Sequence, residues 1–259
     1  MNSRLKRLTM LTKMTGLAFI SFWINSASAQ KRSNLPNTGI LKISFVNTVN
    51  GLPLVLADSS YTNTFGETYI VNKLRYYITN VHVGSKTISQ KEKGNYQLVD
   101  AARPESMSFS LNLKPGSYAS LNFLLGVDSL HNCSGAQTGA LDPMNDMFWT
   151  WNNGYVMFKF EASSPQSNQF NNRVEYHIGG YAGPNNVIKK IALAAAFKIT
   201  PGKTTEVIIQ ADINKLWQGE SKLSIATTAV CTTPGPLAKK IADNYSSMFS
   251  IKQILPKQD

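Results

Sequence analysis

Apolar residues recur along this chain in short runs with a period of two, broken at regular intervals by turn formers. In Met107-Ser-Phe-Ser-Leu-Asn-Leu113 every odd position is apolar and every even one polar, the alternation of a strand with one wet face. Similar runs, rich in β-branched and aromatic residues, occupy 41–46, 52–56, 68–71, 74–83, 96–99 and 117–127. They continue at 154–161, 173–178, 190–199, 206–211 and 222–228. Asn50-Gly51, Lys93-Gly94-Asn95 and Pro115-Gly116 punctuate them as turns. Two short helices are predicted, one after Asp212 as its cap through Gln218, the other from Leu237 to Met248 behind Pro236. A dozen strands with so few helices predict an all-β fold, a β-sandwich of antiparallel strands with long loops and one or two short helices.

One stretch breaks the pattern. From Gly126 to Tyr155 the chain is first a polar loop rich in Gly, Asn, Asp and Ser, then an aromatic cluster that needs a packed surface. It contains His131, Cys133, Met144, Met147, Trp149 and Trp151. Asp142 and Asp146 flank Pro143 and Met144 there, where they read as caps of backbone amides or ligands of a structural cation.

The N-terminus belongs to another class of segment. Arg4, Lys6, Arg7 and Lys13 precede an apolar run from Leu17 to Ile24, and Ala27-Ser-Ala29 suits signal peptidase. Residues 1–29 are therefore expected to be a cleaved signal peptide, residues 30–40 a polar tether, 41–251 one domain and 252–259 a tail. The apolar run is too short for a stable transmembrane anchor, so the protein is expected to be periplasmic or secreted. Losing the four basic residues lowers the net charge from +11 to +7, and the remaining Lys and Arg are scattered, which argues against a nucleic-acid partner. Two cysteines in an exported chain, Cys133 and Cys231, predict one disulfide.

Motifs of catalysis are missing: there is no GxSxG, no HExxH and no phosphate-binding Gly-rich loop, so a non-enzymatic role is expected. Three histidines remain as metal-ligand candidates. His177 shares a strand face with Glu175 and Gly179, opposite Val174, Tyr176 and Ile178. His82 points away from Val81 and Val83, and His131 sits in the central loop. Met144 and Met147 carry thioethers suited to Cu(I), and ordinary packing competes with that reading.

Gly-Ala-Leu-Asp-Pro143, Phe148-Trp-Thr-Trp-Asn-Asn-Gly-Tyr155, Lys159-Phe-Glu161 and Tyr176-His-Ile-Gly-Gly180 together resemble the signature of the MbnP-like copper-binding domain family. The resemblance runs from about Leu41 to Ile251 and includes the closing Asn244-Tyr-Ser-Ser-Met-Phe-Ser-Ile251. It implies a copper site built on histidines and a tryptophan that a dihaem cytochrome c peroxidase-like enzyme oxidises to kynurenine, with copper transport proteins of the envelope as further partners. Carried onto this chain, the resemblance points to His177, Trp149 and Trp151; independently of it, donor chemistry adds His82, Met144 and Met147 as candidates to complete the ligands and Glu175 and Tyr155 as candidates to orient them. This chain departs from the pattern in having no histidine between Trp149 and Tyr155. A metal-free β-sandwich that binds an envelope protein or glycan through its loops is the alternative.

Overall fold

The computed structural model describes residues 37–84, 86–87, 96–150 and 154–256. The expected signal peptide, most of the tether and Trp151 lie outside the described residues. The strands are β1 (Gly39–Val49), β2 (Leu52–Pro53), β3 (Ser60–Thr62), β4 (Thr68–Val83), β5 (Lys86–Thr87), β6 (Tyr96–Asp100), β7 (Ser108–Leu113) and β8 (Gly116–Leu125). They continue as β9 (Phe148–Thr150), β10 (Gly154–Ser163), β11 (Arg173–Gly179), β12 (Lys189–Ile199), β13 (Thr204–Asp212), β14 (Val230–Cys231) and β15 (Phe249–Pro256). Three helices, α1 (Ser129–Cys133), α2 (Ile225–Thr228) and α3 (Pro236–Tyr245), complete the described elements together with single 3-10 turns.

The strands form two sheets. One runs β15-β13-β1-β2, with β7 also on β1; the larger runs β12-β8-β4-β10-β11-β14, with β3, β5 and β6 on β4 and β9 on β10. Their inner faces make an all-β sandwich around an aromatic core. Tyr76 packs against Phe45, Phe158 and Phe249, while the fully buried Trp217 meets Tyr69, Phe160 and Tyr176. The sequence suggests antiparallel pairing throughout, yet β1 lies parallel to β13 and β11 parallel to β14. Neither pair is adjacent in the chain, so a tight hairpin does not dictate its direction.

Other departures have local causes. The expected runs 68–71 and 74–83 fuse into the single strand β4, because the polar pair Asn72-Lys73 is a wet stretch of strand rather than a turn. The expected strand 222–228 ends instead in α2, where the buried Glu67 accepts hydrogen bonds from Ser224 Oγ and the amides of Ile225 and Ala226, capping the helix start. The helix expected after Asp212 is one 3-10 turn with that cap. The expected tail contains most of β15, which pairs with β13 through Pro256.

The expected disulfide is not formed. Cys133 is exposed at the end of α1 beside Tyr181, whereas Cys231 is buried on β14 with its thiol turned to the Thr233 carbonyl, so both are free thiols. Burial pushes the Cys231 thiol up, against a smaller opposing pull from that carbonyl's residue. Among the described residues no helix is long and apolar enough to cross a membrane.

Candidate metal centre

The outer face of β4, β10 and β11 carries the site. In β10 the inward residues Val156, Phe158 and Phe160 are apolar, and Lys159 and Glu161 between them are the strand's only charged side chains. Register sets Lys159 between Arg75 of β4 and His177 of β11, and Glu161 between Lys73 and Glu175. Two charged rows therefore cross the three strands side by side.

Within these rows one imidazole nitrogen lies close to several carboxylate oxygens. His177 Nε2 is 2.9 Å from Glu161 Oε1 and 3.4 Å from Glu175 Oε1. One ligand atom from each of Glu161, Glu175 and His177 lies within 4.8 Å of the others, and all three side chains are half-buried. The hydrogen bond from His177 outweighs partial desolvation and, with Lys73 adding its charge, holds the Glu161 carboxyl down at about 2. Arg173 steadies Glu175 from outside at 3.1 Å. A depression of 520 Å³ opens beside these carboxylates, lined in part by Asn72, Arg173 and Phe170.

A cap of irregular chain covers the neighbouring part of this face. It is the stretch from Gly126 to Trp149, and polar groups of the sheet fasten it: Tyr77 and Tyr155 hydroxyls donate to the carbonyls of Ala140 and Leu141, Arg75 to Asn145 and Lys159 to Asp146. Buried Asn132 accepts from the Tyr155 amide at 2.9 Å, and this approach requires Gly154, whose φ of +70° and missing side chain leave room for Asn132. Asp146, in a left-handed turn with φ 57°, faces Lys159 at 2.9 Å, Lys73 at 3.5 Å and Arg75 at 3.7 Å. Partial desolvation pushes its carboxyl up, and the bonds and charges of Lys159 and Lys73 more than reverse this.

The cap delivers Trp149 to the site. A methyl group at Gly179 would lie 2.5 Å from Trp149 Cζ3 and 2.9 Å from Cη2, so the indole rests directly on that glycine. Gly179 lies on the His177 face of β11, two residues and about 7 Å farther on. Tyr-His-Ile-Gly and the Trp motif thus meet because the strand offers the ring a position without a side chain.

The remaining sequence candidates do not gather here. His82 is seven residues beyond Arg75 on β4, about 23 Å along the strand, beside Asn122 on β8. His131 is held in α1 by Asp128 and Tyr96. Met147 is fully buried in the core, so its thioether fills space there, while Met144 stands 90% exposed at the tip of a turn. Tyr155 is buried with its hydroxyl on the cap rather than on His177. Asp142 does cap the Met144 amide, but Asp146 meets the sheet cations instead.

Glu161, the centre of the cluster, is absent from the ligands expected from sequence. Its signal is present in Val-Met-Phe-Lys-Phe-Glu-Ala: a strand otherwise buried on both faces carries two charges, which burial tolerates only when they are paired.

The class is a two-sheet all-β sandwich with a nitrogen-and-carboxylate cluster on its outer face and a tryptophan loop seated farther along the same strand. The MbnP family model matches residues 38–233, and the chain belongs to that family. By structure it is similar to MbnP from Methylosinus trichosporium, at 14% identity over 75% of this chain and 83% of that one, with a TM-score of 0.49. A comparison with curated proteins returns no match.

Proposed function

We propose that this chain is an exported, non-enzymatic copper-binding protein whose ligands are His177, Glu161 and Glu175, bordered by Trp149. The observation that supports it is the convergence of one imidazole nitrogen and two carboxylates on the face where the Trp motif lands. That donor set fits a divalent first-row ion, and Cu(II) heads the general affinity order for nitrogen and oxygen ligands. It does not favour the thioether-rich Cu(I) site suggested by the methionines, since Met147 is in the core.

A bound copper ion would supply a Lewis-acidic, one-electron redox centre. The chain's own residues do the rest. Glu161 is held ionised, Arg173 fixes Glu175, and the His177 Nε2 proton now shared with Glu161 must leave before that nitrogen can donate. Trp149 borders the site where it rests on Gly179, and oxidation of Trp149 or Trp151 to kynurenine would call for a dihaem peroxidase-like enzyme as partner, with copper transport proteins of the envelope up- or downstream.

Titration of the purified mature chain with Cu(II) against a competing chelator tests the reading. His177→Ala is expected to weaken binding by at least about 100-fold, and equal affinity of variant and wild type would remove the assignment. Peptide mass spectrometry across residues 148–159 of native protein reports whether either tryptophan is modified. The interaction-module reading is favoured by Phe170, 86% exposed at the rim of the depression. Copper-free protein from the native envelope would leave that reading standing.

A further inference from the structure

Lys73 occupies an unusual place among the charges of this face. Its Nζ is 3.2 Å from Glu161 Oε2, 3.4 Å from Glu161 Oε1 and 3.5 Å from Asp146 Oδ2. Two other cations also meet Asp146, but their positions differ. Arg75 is drawn to the buried Asp100 at 2.9 Å, and Lys159 is almost fully buried beneath Asp146. Among the described residues, Lys73 alone bridges Asp146 and a member of the metal cluster.

The register explains why. Lys73 lies directly across from Glu161 on one side of β10, as Glu175 does on the other, so the row reads Lys73, Glu161, Glu175. Any cation that seats among Glu161, Glu175 and His177 must share Glu161 with an ammonium already in contact with it. Two positive charges on one carboxylate repel across a few ångströms of a half-buried surface, where screening is weaker than in bulk water. The lysine stem is flexible, and Lys73 is 31% exposed, so the ammonium is free to move. Asp146, 62% exposed and at the edge of the site, is the nearest carboxylate onto which it can withdraw.

We propose that Lys73 is a tethered counter-ion that competes with the metal for Glu161, and that Asp146 receives its ammonium as the site fills. The proposal rests on the metal reading above. In the empty protein Lys73 stabilises paired carboxylates that would otherwise repel each other. On filling, the withdrawal strengthens the contact to Asp146, two residues ahead of Phe148 and three ahead of Trp149, so occupancy and the hold on the tryptophan loop rise together. Lys73 thereby sets the affinity without being a ligand.

The test is a Cu(II) titration at fixed ionic strength in a glycine competition buffer, on the mature chain and on Lys73→Met, Lys73→Arg, Asp146→Asn and the Lys73→Met/Asp146→Asn double variant. Lys73→Met is expected to bind about 10-fold more tightly, and Lys73→Arg, which keeps the charge, to stay within about 3-fold of wild type. Asp146→Asn is expected to weaken binding several-fold in the wild-type background and to have no effect once Lys73 is methionine. Lys73→Gln provides the same charge removal if the methionine variant fails to fold. Equal or weaker binding by the charge-removing variants, or an Asp146 effect of the same size in both backgrounds, overturns the proposal while leaving the metal site in place. Absence of Cu(II) binding in every chain overturns the metal reading and the proposal with it.

Discussion

The two faces of β4, β10 and β11 are built from the same strands and obey different physics. On the inner face Leu74, Tyr76, Phe158, Phe160, Val174, Tyr176 and Ile178 are all buried. Their cohesion is non-directional, and shape decides which side chain fits. On the outer face Lys73, Arg75, Lys159, Glu161, Glu175 and His177 meet as specific cross-strand partners, where one altered charge changes its neighbours. The inner face accounts for the sandwich, and the outer face for whatever it binds. The contrast also explains why the cap is needed: Arg75, Tyr77 and Lys159, polar groups on interior strands of the sheet, find their partners in the carbonyls of an irregular loop.

Substitutions that separate the faces should differ in what they damage. Phe160→Ala removes a ring packed on Tyr69, Tyr176 and Trp217, at an expected cost of about 3 to 5 kcal/mol. Urea unfolding measures that loss, and Cu(II) affinity of the fraction that remains folded should be unchanged. A matched loss of affinity would show that the outer geometry depends on core packing far more than the contact pattern implies.

Gly179→Ala acts where the cap meets the outer face. The new methyl would press on Trp149 and lie 2.8 Å from the Tyr155 carbonyl, so either the indole or the β10 backbone must shift. Overpacking of this kind typically costs about 1 to 3 kcal/mol. The indole is the more mobile partner, so tryptophan fluorescence should move with the variant even where the unfolding midpoint changes little. An unaltered spectrum with unaltered stability would place the ring elsewhere in solution.

The inner face was far more legible in the sequence than the outer one, for a physical reason. Alternation in Met107–Leu113 or Arg173–Ile178 is a local record of burial, so strands and their core side follow from neighbours in sequence. Which polar residues meet depends on register between strands, and nothing near Lys73 or Glu161 in sequence names its partner 88 positions away. His177 was legible because the Tyr-His-Ile-Gly-Gly resemblance marks it, and Trp149 for the same reason. His82 and the methionines illustrate the opposite case: suitable chemistry in the sequence, placed by the fold beyond reach or in the core. Residues 222–228 have strand composition, yet a distant carboxylate, Glu67, caps the turn of helix that Ile225–Thr228 form.

The smallest expected effect sharpens the comparison most, because it concerns charge alone. The folded protein holds the Glu161 carboxyl at about 2 against an ordinary 4.5, chiefly through the hydrogen bond from His177, with Lys73 adding to it against partial desolvation. Protons then bind the unfolded chain more readily than the folded one, so stability falls as pH drops. The contribution of Glu161 is complete above pH 4.5, diminishes as acid is added, and is gone once pH falls below about 2. Solvent screening of this half-buried pair limits the contribution to about 1 kcal/mol. Glu161→Gln keeps an acceptor for His177 and cannot titrate, so the metal-free variant, compared with wild type by urea unfolding from pH 7 to pH 2, should show a smaller loss of stability across that interval. Parallel profiles for the two proteins would mean that Glu161 is no more tightly held in the fold than in the open chain, and would remove the electrostatic anchor on which the outer face is organised.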